Sequence, residues 1–163
     1  MKPCICLVFF LLTSGLASAG VLPDRQLTPG TTDPHVTRDN IRNTICVKGY
    51  TKKIRPPAYY TNALKKKQIR QYGYADKNPK HYEEDHLIPL EVGGNPTDVR
   101  NLWPEPRYGQ WSATKKDLLE NKLHELVCNK ALNLEKAQQE IRSNWISAYI
   151  KYVSLAHRAK IGG

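Results

Sequence analysis

Apolar residues recur at helical spacing in two stretches of the chain. In WSATKKDLLENKLHELVC, Ser112 is a candidate N-cap, and Leu119, Leu123, Leu126 and Val127 follow three and four apart. That spacing predicts an amphipathic helix ending near Asn129. From Asn133 onward Leu134, Ala137, Ile141, Trp145, Ala148 and Tyr152 form a single stripe, which predicts a second helix and marks these residues as core. The period changes to two in HYEEDHLIPLEV, where His86, Ile88, Leu90 and Val92 share a face, so this segment is expected to be a strand. Pro89 donates no ladder hydrogen bond, so the strand is an edge strand or bulges there. Gly93-Gly94-Asn95-Pro96 reads as a loop and VRNLW as a second short strand, giving an antiparallel pair with Trp103 in the core beneath it.

Upstream the pattern is weaker. TICVKGY is expected as a short strand with Gly49 at a turn, closed off by Pro56-Pro57. Thr61 as N-cap and Gly73 as C-cap bracket a basic helix containing NALKKKQIRQY. Residues 20–43 begin GVLPDRQLTPGTTDPHVTRDN, rich in proline and polar residues, and are expected to be a flexible leader. Residues 1–19 combine Lys2, an apolar run and Ala17-Ser18-Ala19, the pattern of a cleaved secretion signal, and the run is too short for a spanning helix. Residues 156–163 read as a tail. One domain over residues 44–155 remains, of the α+β class, in a secreted chain with no membrane partner; the oligomeric state is left open.

Removing residues 1–19 leaves 144 residues, a net charge of +9 and two cysteines, Cys46 and Cys128. In an oxidising compartment an isolated pair of this kind is expected to form a disulfide. The surplus of positive charge lies in residues 48–80, which hold ten Lys or Arg against Asp76 alone, while basic and acidic residues balance on either side. Interleaved with Tyr50, Tyr59, Tyr60, Tyr72 and Tyr74, this block has the composition of a phosphate-binding surface with stacking groups. A solvated basic face and an anionic membrane surface are the alternatives.

Against this background EEDHLIPLEVGG concentrates acid beside an imidazole. Phosphodiester hydrolysis needs a base near water and positive charge on the phosphate oxygens, and histidine titrates near neutrality. Adjacent residues of a strand point to opposite faces, so Asp85 and His86 diverge unless the strand is distorted. The ordered set DHLIPLEVGG, NLWPEP and KKDLLENKLHELVC resembles the HNH (His-Me finger) endonucleases, most closely their small secreted members. The motif covers residues 82–128, with fainter similarity from Thr44 to Tyr149.

The resemblance implies a ββα-metal core with flanking helices that holds one divalent cation, Mg²⁺ or Mn²⁺ first and Zn²⁺ as the alternative. It also implies DNA as substrate, with RNA as a second candidate. It assigns His86 to water activation, Asp85 to the metal and Asn101 to orienting the imidazole. The third motif position, ordinarily His or Asn, holds Ser112 here. Water, Asp117, Asn121 or His124 is then expected to complete the shell, with Asp117 best suited by chemistry; its alternative is a first-turn acid that complements the helix dipole. Arg55 and Arg107 are candidate phosphate clamps, and Lys65, Lys66, Lys67 and Arg70 are candidate contacts to the nucleic-acid backbone. No segment reads as a base-reading helix, so cleavage is expected to show little sequence preference. A non-catalytic nucleic-acid-binding or effector protein on the same scaffold is the rival reading.

Overall fold

A computed structural model describes residues 20–155; the secretion signal and the tail lie outside the described residues. Five helical and strand elements precede the C-terminal helix: α1 (Tyr50–Ile54), α2 (Ala58–Gln71), β1 (Tyr82–His86), β2 (Leu102–Pro106) and α3 (Ala113–Cys128). Helix α4 (Leu134–Tyr149) follows. The two strands pair antiparallel, with Tyr82 opposite Pro106 and His86 opposite Leu102. Helix α2 packs on the hairpin from one side, while α3 contacts α4 and the 3₁₀ turn Leu90–Val92. The result is a small α+β fold.

Ser112 is the N-cap residue of α3 and Asn129 its C-cap, as the apolar spacing predicts. Asn133 caps α4, its side chain accepting from the Lys136 N–H. Of the α4 stripe, Leu134, Ala137, Ile141, Trp145 and Ala148 are buried, and Tyr152 packs against the same cluster. Ile88, Val92, Leu119, Leu123 and Val127 complete this core from the other elements. Trp103 is fully buried, as expected. A kink at Asn144, whose backbone is extended, precedes Trp145, and the Asn144 side chain re-caps the chain by accepting from the Ser147 N–H.

Four expectations are corrected. TICVKGY forms turns leading into α1 and no strand. The basic helix begins three residues before Thr61, at Ala58, because Pro57 supplies an extended N-cap; Gly73 lies one residue beyond the Tyr72 C-cap. Strand β1 stops at His86, and β2 starts at Leu102, since Val99–Asn101 is a 3₁₀ turn. Residues 20–43 are no loose leader. Thr28, Val36 and Ile41 are buried, the Trp145 indole donates to the Val21 carbonyl, and Thr32 bridges to Gly94. Sparse apolar content misleads here because the segment is held by polar bonds to the hairpin loop, such as Gly30 N–H to Arg100 O (2.9 Å) and Asn95 N–H to Thr31 O (2.9 Å).

Cys46 and Cys128 are bonded, as expected, tying the turn after residue 45 to the end of α3 across a separation of 82 residues. Closing so long a loop constrains the unfolded chain by about 4 kcal/mol. The Cys46→Ala/Cys128→Ala variant should therefore unfold about 2–5 kcal/mol more easily in urea than the parent; an unchanged midpoint would contradict this role.

Candidate active site

The hairpin register divides its side chains between two faces. Glu83 lies opposite Glu105 and Asp85 opposite Trp103, so these four share one face; Glu84 and His86 leave from the other. Strand β1 is regular through His86, so Asp85 and His86 do diverge, and the chain turns only after them. Helix α3 bridges the difference through one side chain. The Lys116 ammonium donates to Asp85 Oδ2 (2.5 Å), to the main-chain oxygen of His86 (2.8 Å) and to Glu120 one turn further along α3.

Lys116 has no solvent exposure, and neither has Glu105. Burial alone would lower the Lys116 pKa, but Asp85, Glu120 and Glu105 together outweigh it and hold the amine protonated. Burial opposes ionisation of Asp85 as well, yet the Lys116 ammonium bonded to it keeps its carboxyl below the usual range. Burial pushes Glu105 well above that range against the pull of Lys116, with Asp85 adding to the rise. Glu105 is thus the protonated partner and Asp85 the carboxylate. Burial likewise raises Glu120, to about 8, with Lys116 opposing.

His86 is buried, and its Nε2 lies 3.0 Å from the Pro96 carbonyl oxygen. A carbonyl only accepts, so Nε2 carries the proton and Nδ1 is left with the basic lone pair. Burial lowers the His86 pKa, and Arg55 and Lys116 add to that while Asp85 and the Pro96 bond oppose it. The neutral imidazole is the favoured form.

Asn101, fully buried, was expected to orient this ring, but its amide bonds elsewhere. Its Oδ1 accepts from the Ile88 N–H (3.0 Å), and its Nδ2 donates to the Ile88 and Asn95 carbonyls (2.9 and 3.0 Å). Asn101 thereby extends the sheet by one side-chain rung beyond its last backbone pair and ties the strand exit to the glycine loop. That same loop presents the Pro96 carbonyl, so Asn101 acts on His86 through the backbone.

Around this centre stand further charges. Burial raises Asp117, and the charge of Asp85 adds to the rise; Glu83 is raised by burial and then by Asp85 and Asp117. These carboxylates repel one another at the mouth of the site. Arg107 pairs with Glu83 (2.9 Å), and the charges of both Arg55 and Arg107 act on Asp117. Ser112 is a buried N-cap residue, and its carbonyl accepts from Lys115 and Lys116. Nothing places its hydroxyl against Asp85. His124 lies apart, its Nε2 bonded to the Ile45 carbonyl.

Asp85 and Asp117 are the carboxylates a hard dication would draw on, since it would relieve their mutual repulsion, and at Asp85 it would meet the Lys116 ammonium already bonded there. Among the described residues, the one group of three His, Cys, Asp or Glu donors closing on a point is Cys46, His124 and Cys128, whose sulfurs are joined to each other.

The basic residues of α2 divide. Lys65 donates to the Tyr82 carbonyl, and with Lys66 and Arg107 it lines a shared cavity; Lys67 and Arg70 are exposed outside it. Most of the interleaved tyrosines are structural: Tyr74 stacks on Tyr82 in a small second core with Tyr72, and Tyr60 donates to the Thr97 carbonyl. Tyr59 alone of the five is largely exposed.

Sequence reasoning missed Lys116, Glu105, Glu120 and Pro96. Lys116 had a signal, since it precedes Leu119 and Leu123 by three and seven and so falls on the buried stripe of α3. Compared with known protein families, curated proteins and solved structures, the chain matches none.

Gly94 is where the loop passes closest to the strand exit. A Cβ there would lie 1.7 Å from the Ile88 carbonyl oxygen and 2.9 Å from the Asn101 amide nitrogen. Gly94→Ala should cost at least about 3 kcal/mol, because backbone must move to admit the methyl group. Chemical denaturation checks this, and a loss below about 1 kcal/mol would show that the loop is not clamped.

Proposed function

We propose that this chain is a secreted, metal-dependent endonuclease of the HNH type, cutting phosphodiester bonds in DNA, and in RNA as a second substrate, with little sequence preference. The observation that carries this reading is a buried, neutral His86 whose protonated nitrogen is held by a backbone carbonyl, leaving Nδ1 as a base on the strand that also carries Asp85. The resemblance of DHLIPLEVGG and NLWPEP to that family supports it.

In this reading Asp85 and Asp117 hold a divalent cation, which when bound supplies positive charge to the non-bridging and leaving oxygens of the phosphodiester. His86 Nδ1 accepts a proton from the attacking water; the new P–O bond forms as the bond to the leaving oxygen breaks. Pro96 fixes the ring so that it cannot turn its N–H toward that water. Arg55 and Arg107 offer planar guanidinium groups to phosphate oxygens. Asn101 is a positioning residue, acting through Ile88 and the loop.

A second reading has its own support. The Lys116 ammonium already neutralises Asp85, the role a metal would fill, which favours a nucleic-acid-binding protein without catalysis.

The two readings part in one assay. With plasmid DNA and RNA in Mg²⁺ or Mn²⁺, the nuclease reading expects cleavage that EDTA abolishes and that His86→Ala lowers by about 10²–10⁴-fold. Salt-sensitive binding without cleavage in the parent protein would leave only the second reading.

A further inference from the structure

Between α2 and the start of β1 lies a cavity of about 450 Å³ whose walls include Asn62, Lys65 and Lys66 of α2, Lys80, Tyr82 and Arg107. Four of these six are cations, drawn from three separate parts of the chain. Two of them are fixed by one atom: Lys65 Nζ donates to the Tyr82 carbonyl oxygen at 3.2 Å, and Arg107 Nε donates to the same oxygen at 3.1 Å. A single acceptor thus holds an ammonium and a guanidinium side by side, an arrangement that like charges oppose. Burial lowers the Lys65 pKa, and Arg107 lowers it further. Arg107 spends one terminal nitrogen on Glu83. Lys65 keeps two further ammonium hydrogens, and Lys66 and Lys80 are exposed at the rim.

Two aromatic residues adjoin the cavity's lining residues in the chain. Tyr108 follows Arg107, is 71% exposed, and sets its ring edge-on at 5.9 Å from His81, which separates Lys80 from Tyr82. His81 is held in turn by Asp76. An exposed ring braced by a fixed neighbour is a stacking platform for a base.

We infer that this cavity is a subsite for one nucleotide of a nucleic-acid strand, its phosphate among Lys65, Lys66, Lys80 and Arg107 and its unpaired base against Tyr108. The inference deepens the nuclease reading by naming where the strand is held away from His86. Arg107 belongs to both places, since it pairs with Glu83 at the mouth of the site while lining the cavity. The subsite holds the strand by charge and stacking, with no contact that distinguishes one base from another.

The test is binding of a fluorescent single-stranded oligodeoxynucleotide to the full chain carrying His86→Ala, in EDTA, across a range of salt. The slope of log K against log salt should fall by about 1.4 on Lys66→Gln/Lys80→Gln, since each phosphate contact to a single strand contributes about 0.7. Tyr108→Ala should weaken binding roughly tenfold, within the range of one lost base stack. The comparison variant Lys48→Gln/Lys136→Gln removes the same charge from exposed positions outside the cavity and should change the slope less. Equal slopes for the two double variants would overturn the subsite, leaving only diffuse attraction. It would also be overturned if vesicles of anionic phospholipid bound more tightly than the oligonucleotide and lost that binding in Lys66→Gln/Lys80→Gln. Because cleavage is not read, the subsite and the nuclease reading fail separately: a parent protein that cuts nothing leaves these slopes interpretable, and unchanged slopes leave the His86 assay standing.

Discussion

The buried ammonium of Lys116 is the constraint on which the rest of the arrangement depends. Removing a lysine from water costs several kcal/mol unless its hydrogens find acceptors and its charge finds a partner. Lys116 has both, in Asp85, Glu120 and the main-chain oxygen of His86. Two of those acceptors lie on β1 and one on α3, so the requirement fixes strand and helix in a single relative position. Three carboxyl groups around one ammonium cannot all be charged at low cost. Burial raises both Glu105 and Glu120, and Asp85 remains the carboxylate.

The site around this link combines a rigid base with a basic approach. His86 is held by Pro96, Pro96 by the glycine loop, and the loop by Asn101, so the imidazole is positioned by a chain of backbone contacts. The loop is braced from outside by residues 30–33, which bond to Gly93, Asn95 and Arg100. A segment that looks dispensable by composition therefore supports the candidate site. The charges of Arg55 and Arg107 act on Asp117, and Arg107 lines a cavity with Lys65 and Lys66 of α2.

Much of this was legible in the sequence, and the failures have physical causes. Helices α3 and α4 were readable because their apolar stripes are long, and the caps at Ser112 and Asn133 follow ordinary preferences. The hairpin was readable in kind but not in extent: period-2 alternation continues past His86, while the chain leaves the strand there. Residues 20–43 were misread because their order comes from polar bonds to distant residues, which hydropathy does not register. Asn101 was expected to bond the imidazole and instead bonds peptide groups, since an amide's choice between the two depends on loop geometry. Lys116 was passed over because a lysine on a helix is ordinarily solvated; its place on the Leu119 and Leu123 stripe was the available clue.

The measurement that bears most directly on this account is a double-mutant cycle between Asp85 and Lys116. Unfolding free energies of the parent, Asp85→Asn, Lys116→Met and the combined variant give the coupling between the two side chains. A buried, hydrogen-bonded pair predicts a coupling of about 2–3 kcal/mol, with Lys116→Met alone the more damaging single change because it strands Asp85 and Glu120. A coupling within about 0.5 kcal/mol of zero would contradict the claim that this ion pair sets the strand against the helix.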